Sequence, residues 1–343
     1  MPKFFRVETR DRPDLALLGS TSQLDLMGYA FPKLFPLLPV TEKGGTMTVA
    51  PVGLTASKGT KGRSNGSTLS PTDIQMVDVS YSTSRYEGRG RLYENDGAAY
   101  ADAATADAAG GELAQRLAWN KVEDDAFATI FTTARINAAA ELSDHRVIRV
   151  LQSKAKSLRR YGKPYLVMTT DTWLDFCEIP EIRRRLENIA GANGDIGYIM
   201  QDVEKVKGAI NVFLRFEGVV LFDSEIVESA GSHDGEIAVV ALRPEAWTQP
   251  LNTLKSKATY GFAPVYIPDG ADTDKPFDMR TWYDNDAKAN VYDSEAYLGI
   301  VQVYSAAVAM TKMADAYTEY AVPVVNVEVQ GDSSGSGDGG DTE

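Results

Sequence analysis

Along the chain the apolar positions change period several times, and each change marks an element. Thr46-Met47-Thr48-Val49 alternates with period two, and Val77, Val79 and Tyr81 alternate with Asp78, Ser80 and Ser82. Both patterns predict half-buried strands. The segment between them, Ser57 to Ser67, is rich in Gly and Ser, carries Lys58, Lys61 and Arg63, and has no large apolar residue. Residues 46–95 therefore read as an extended β-hairpin with a cationic tip. A two-stranded hairpin is marginal in water by itself, so a surface outside it is expected to hold it down.

From about residue 98 the composition turns helical. Alanine, the best helix former, dominates Ala98 to Ala109, and Gly110-Gly111 is expected to weaken or kink the helix. The stronger part runs from Glu112 to Phe131, with Leu113 and Leu117, then Phe127 and Phe131, four apart on shared faces. Glu123, Asp124 and Asp125 are consecutive, so they splay around the helix and do not cluster. A second helix follows Ser143-Asp144. Its apolar stripe is Val147, Ile148, Leu151, Ala155 and Leu158; Arg149, Gln152, Lys156, Arg159 and Arg160 take the other face. Gly162 is the expected C-cap, with Pro164 beyond. Tyr165 to Met168 is a buried-strand run. A third helix is capped by Thr170 or Asp171, bears Trp173, Leu174 and Phe176, breaks at Pro180 and resumes to Ile189. Strands are expected at 209–214, 218–222 and 237–242. More follow between 255 and 313, one of them Tyr297 to Tyr304, and a last one spans Val322 to Val329.

The start of the chain has a different character. Phe31-Pro32-Lys33-Leu34-Phe35-Pro36-Leu37-Leu38-Pro39-Val40 is apolar, and its prolines block a helix. It is too apolar for a solvated tail. It reads as a strap, laid either across its own core or across a neighbour through Phe31, Leu34, Phe35 and Leu37. At the other end, residues 330–343 are Gly, Ser and Asp and are expected to be disordered in solution.

Composition narrows the function. At 343 residues the chain has room for two or three domains, and its net charge of -13 argues against a nucleic-acid enzyme with a basic cleft. No run nears the roughly 20 apolar residues of a membrane span. The start lacks a secretory h-region, so a cytoplasm-like compartment and no membrane are expected. Cys177 is alone, which excludes an intrachain disulfide, and it reads as a buried, inert thiol. His145 and His233 are the two histidines, and no G-x-S-x-G elbow accompanies them. Metal-ligand spacing is missing as well. Lys58-Gly59-Thr60 has the wrong order for a phosphate loop, and Gly88-Arg89-Gly90 is a lone GxG. Asp284-Asn285-Asp286 has Lys288 and Ala289 where an EF-hand needs an oxygen ligand and Gly. Asp269, Asp272 and Asp274 read as a solvated acidic loop. Trp173, Trp247 and Trp282 read as core or interface aromatics. No catalytic residue, cofactor or metal is expected.

The order of parts then carries a resemblance. Arm, extended loop, long helix, helix–strand–helix and strands together resemble the major capsid protein of tailed double-stranded DNA bacteriophages, whose fold encapsulin shells share. Glu112 to Phe131 resembles that family's spine helix. Tyr165 to Trp173 resembles its strand-turn-helix, and Gly218 to Ser224 its glycine-led strand. The resemblance implies an α+β fold with an N-terminal arm (1–45) and an extended loop (46–95). It further implies a peripheral domain with the spine helix (96–142 and 251–312), an axial domain (143–250 and 313–329) and an acidic tail (330–343).

Its functional implication is a head subunit that self-assembles as hexamers and pentamers into an icosahedral shell around DNA, in a virion put together in the host cytoplasm. A separate scaffolding protein is implied, because the loop begins too early for a fused scaffolding domain. A portal protein at one vertex is implied too, and room is left for a decoration protein. Lys58, Lys61 and Arg63 would meet acidic surface on a neighbour. Arg149, Lys156, Arg159 and Arg160, with Arg183-Arg184-Arg185, form either a solvated face with intersubunit ion pairs or a non-specific contact with packaged DNA or acidic neighbours. A cargo-storage shell is the alternative, and a carboxylate enzyme with an oligomerisation arm is a third reading.

Overall fold

The computed structural model describes residues 10–11, 28–49, 77–94, 103–136, 147–159, 161–190, 203–242, 260–267, 277–303 and 305–313. They form two sheets joined by one long helix, plus a two-stranded ribbon.

The ribbon is the stem of the extended loop. Strands β3 (Gly44–Val49) and β4 (Val77–Ser82) pair antiparallel, with Thr46 opposite Ser80. The tip, with Lys58, Lys61 and Arg63, lies outside the described residues. After Thr83 the chain enters β5 (Ser84–Tyr93), which pairs with β11 (Ala289–Leu298) in a seven-stranded sheet. The free part of the loop thus ends before β5, short of the expected 95. β1 (Arg10–Asp11) pairs with β10 (Asp278–Asp284), which in turn pairs with β11. β9 (Gly261–Tyr266) receives β2 (Leu37–Val40) in parallel and β12 (Val301–Gln302) antiparallel.

Across this sheet lies α2 (Ala103–Ile136), one unbroken helix of 34 residues and so about 50 Å long at 1.5 Å per residue. Gly110-Gly111 does not interrupt the helix, and Gly110 serves close packing. A Cβ at Gly110 would fall 2.2 Å from the Tyr292 ring. On the strand side, a Cβ at Gly88 would fall 1.9 Å from the Ala114 carbonyl oxygen, and one at Gly90 2.8 Å from that of Gly110. The GxG pair is a packing seam, where strand and helix backbones meet without side chains between them.

The second sheet has the order β13-β8-β6-β7. β6 (Lys163–Thr169) runs parallel to β7 (Gly218–Phe222) and antiparallel to β8 (Glu236–Leu242), which also pairs with β13 (Val308–Lys312). Residues 308–312 therefore belong to this second sheet. Helices α3 (Val147–Leu158), α4 (Thr170–Glu178), α5 (Pro180–Ala190) and α6 (Val203–Leu214) pack around it. The α3 stripe is as expected: Val147, Ile148, Leu151, Ala155 and Leu158 are all buried. α4 is capped one residue earlier than expected. Thr169 Oγ1 accepts from Thr172 N at 3.2 Å, because Thr169 has the extended backbone an N-cap needs. Pro180 opens α5, where its missing N–H costs nothing.

Residues 209–214 were expected as a strand and form the end of α6. Val206, Ile210 and Leu214 recur every four residues and are buried, so the helical period prevails over the β-branched composition. The expected strand from 297 to 304 divides into the end of β11 and the short β12. The expected strand at 322–329, the tail at 330–343, His145, Trp247 and the acidic loop at 269–274 lie outside the described residues.

Candidate assembly surfaces

The base of the extended loop is built from one lysine and two tyrosines. Lys43 sits in the bend between β2 and β3. Its carbonyl accepts from Thr83 N at 2.8 Å and Thr83 Oγ1 at 2.9 Å, which closes the foot of the ribbon. Its ammonium lies 3.3 Å from the ring centroid of Tyr297 and 5.2 Å from that of Tyr266. Such a cation–π clamp fixes where the ribbon leaves the sheet. Beneath it Leu38, Val40, Met47 and Phe262 form a small cluster, with Val79 and Tyr81 packed against it. Lys43 carried no signal in the sequence, since its partners come from β9 and β11.

The arm is anchored on the same subunit. Phe31–Leu34 forms the one-turn helix α1, with Pro32 in its first turn, where proline is tolerated. Phe31, Leu34 and Phe35 are buried, and Leu37 is half-buried against the same core. Phe31 stacks on Trp119 of α2 at 5.4 Å, and Phe35 meets Tyr260 at the same distance. The sequence left this strap open between its own core and a neighbour. The apolar surface of Phe31, Leu34 and Phe35 is taken up by their own chain, because α2 and β9 offer it an apolar seat, and the β2–β9 pairing holds the strap in register.

The three consecutive acids of α2 do splay, and each takes a different element. Glu123 Oε1 and Oε2 accept the Ala30 and Phe31 N–H groups, each at 2.8 Å. Asp124 accepts from Ser229 N at 3.2 Å and Ser229 Oγ at 2.9 Å, on the axial side. The Tyr86 hydroxyl of β5 donates to Asp125 at 2.5 Å. Burial and the bond to Asp125 hold the Tyr86 hydroxyl well above its ordinary pKa, so it stays a donor. One turn of α2 thereby ties arm, axial domain and peripheral sheet together. The consecutive spacing was readable in the sequence, but the partners were not.

The basic face of α3 is present. Arg149, Lys156 and Arg159 are exposed on it, and Arg160 lies outside the described residues. Arg183, Arg184 and Arg185 of α5 are exposed, with Arg183 paired to Glu178 at 2.8 Å. Among the described residues the large exposed apolar side chains are Leu174, Val212 and Tyr93, and on α2 Leu113 and Leu117.

Two residues with intrinsic chemistry, His233 and Cys177, lie in the core. His233 Nδ1 is 2.7 Å from Glu236 Oε2, both side chains are buried, and the ring sits against Phe127 and Phe131. Cys177 is buried, and burial pushes its thiol up to about 12. Asp284 Oδ1 accepts from Asp286 N and Ala287 N, so the EF-hand-like stretch is the turn between β10 and β11. An open cavity of about 340 Å³ beside α4 carries Asp171, Asp175 and Asp234. Burial first, then Asp234 and Asp171, raises the Asp175 carboxyl. Among the described residues no three His, Cys, Asp or Glu side chains come together as metal ligands. No described helix is long and apolar enough to cross a membrane.

No family model matches the sequence, and no curated protein does. Solved structures do match in shape. A phage-related protein from Bordetella bronchiseptica RB50 superposes with a TM-score of 0.59 at 11% identity, over 90% of this chain and 98% of that one. The capsid of cyanophage P-SCSP1u gives 0.49 at 10% identity, over 83% and 88%. A virus-like particle from Pyrococcus furiosus gives 0.46 at 11%, over 88% and 97%. Arm, loop stem, long helix and two sheets occur here in one chain, and its fold is that of the phage-related protein from Bordetella bronchiseptica RB50.

Proposed function

We propose that this chain is a shell-forming subunit of a phage head, structural and not catalytic, with copies of itself as its main partner. The observation that carries the reading is the ribbon of β3 and β4. It leaves the peripheral sheet with a single buried side chain among those described, Met47. A ribbon that thin is stable only when laid on another surface. In a closed ring of identical subunits that surface is the next copy, through a heterologous contact. The cationic tip at Lys58, Lys61 and Arg63 would meet acidic surface there, setting register more than affinity. The basic face of Arg149, Lys156, Arg159 and Arg160 would serve ion pairs with neighbours or loose contact with packaged DNA. A scaffolding protein, a portal at one vertex and a decoration protein belong to the same reading, as do the virion as location and the host cytoplasm as the place of assembly.

The test is deletion of residues 50–76 with a short Gly/Ser bridge. Negative-stain microscopy and sedimentation are expected to find closed particles for the full chain and only small species for the deletion, with unchanged far-ultraviolet circular dichroism from the two sheets. Particles of normal size from the deletion variant would refute the proposal.

A further inference from the structure

A strand inside a sheet is bonded along both edges, and β5 is bonded along one. Its register sets Tyr93 opposite Ala289, and Glu94 N donates to the Lys288 carbonyl at 3.1 Å. Backbone groups alternate in direction along a strand, so the even-numbered residues of β5 are the ones that bond to β11. The N–H and C=O groups of Arg85, Glu87, Arg89, Arg91 and Tyr93 point the other way. Thr83 belongs to the same series, and its N–H finds the Lys43 carbonyl where the ribbon begins. Beyond it, among the described residues, no strand pairs with this side of β5, which is ten residues long. One acceptor there is covered, since the Glu87 carbonyl takes Lys121 Nζ of α2 at 2.8 Å.

The flank of α2 beneath this edge is unfinished as well. Leu113, Leu117 and Lys121 are four apart and share a flank. A Cβ at Gly90 would fall 3.5 Å from Leu113 Cβ, and Lys121 reaches the edge itself, so the row runs under it. Leu113 is 45% exposed and Leu117 39%. A long open edge invites another strand unless charge, proline or a bulge blunts it. β5 has no proline. Two of its arginines are already engaged on their own sheet: Arg85 with Glu87 and Glu295, each at 2.6 Å, and Arg89 with Asp293 at 3.4 Å. Arg91 and Tyr93 are exposed.

We propose that the open edge of β5 joins the same edge of a second copy of this chain, antiparallel about a two-fold axis at Arg89, so that two sheets become one. In that register the edge is complementary to itself. Glu87 comes opposite the second copy's Arg91, and Arg91 opposite its Glu87; opposite charges across a strand pair are favourable. Arg85 comes opposite Tyr93, whose ring offers a face to a cation. Arg89 meets its own equivalent, each with Asp293 beside it. The neighbouring registers are worse. An axis at Gly88 sets Arg85 against Arg91, and one at Gly90 sets Arg89 against Arg91. With the axis at Arg89 the two α2 helices lie side by side under the joined sheet. Leu113 and Leu117 of each then turn toward those of the other and leave water. Such a contact is isologous and closes on two copies. It is separate from the contact of the extended loop and holds whether or not the chain builds a shell.

Cross-linking in the full chain tests the axis. Arg89→Cys places two thiols across it with Cα atoms about 5.5 Å apart, within reach of a disulfide. Cys177 is buried and stays out of the reaction. Mild oxidation, followed by denaturing electrophoresis without reductant, is expected to give roughly tenfold more linked dimer than Asn285→Cys, an exposed position in the turn after β10. Glu87→Arg added to Arg89→Cys sets like charges across the axis and is expected to cut the yield roughly fivefold. Arg91→Glu added to both exchanges the signs and is expected to recover it. The readout is the same for free dimers and for particles, so the absence of particles would leave it intact. A yield from Arg89→Cys no higher than from Asn285→Cys overturns the proposal. So does a yield that Glu87→Arg leaves unchanged, or a loss that Arg91→Glu does not recover.

Discussion

Strand β8 and the β3–β4 ribbon are both antiparallel parts of one chain, yet all seven residues of β8 are buried, whereas among its described side chains the ribbon buries Met47 alone. β8 lies between β6 and β13 inside a continuous core that takes in α2 from Ala118 to Phe131 and the arm from Tyr29 to Phe35. The ribbon has the four-residue cluster at its foot and one lysine clamp. Apolar burial is the main favourable term in folding, so the axial side is stable by its own contents and the loop is not. The difference teaches where the chain spends its hydrophobic residues. They complete the body of the subunit and are withheld from the part that reaches out.

The largest blow to this contrast falls on the core. Phe222→Ala empties a site where Phe222 meets Phe127 edge-on at 5.2 Å. Denaturant unfolding of the full chain is expected to lose roughly 3–5 kcal/mol. Gly88→Ala strikes the seam, where strand and helix backbones leave no room. It is expected to cost roughly 1–3 kcal/mol or more, read as a lower melting temperature. Tyr86→Phe removes only the hydroxyl that reaches Asp125, and about 1 kcal/mol is expected in the same assay. Val79→Ser, on the ribbon, is the smallest change for folding. It is expected to stay within about 1 kcal/mol in unfolding while lowering the yield of closed particles. Should Val79→Ser melt the subunit as severely as Phe222→Ala, ribbon and core would have to be regarded as one cooperative unit.

How much of this was legible depended on where the deciding contact lay. The α3 stripe was legible because helix and pattern are local: Val147 to Leu158 repeat at helical spacing and face one layer. Residues 209–214 were misread because a short apolar run fits either period, and the arbitrating Val206 stands outside it. The glycines at 88, 90 and 110 were visible, but their purpose was not. It lies in the approach of β5 and β11 to α2, over separations no local pattern spans. The strap was legible as apolar, but its seat on Trp119 and Tyr260 was not, since that seat exists only after the fold brings α2 and β9 together. Glu123 shows the same divide. Its direction around the helix followed from spacing, and its two N–H partners followed from nothing nearby.

Only Thr83 separates β4 from β5, and β5 is bonded to β11 through ten residue pairs. A pull on the loop therefore reaches the subunit lengthwise, along a ladder whose rungs share the load at once. Among the described residues the slenderest limb is moored by the longest seam, so tension from a neighbour would be passed into the strut beneath without unzipping the limb at its root.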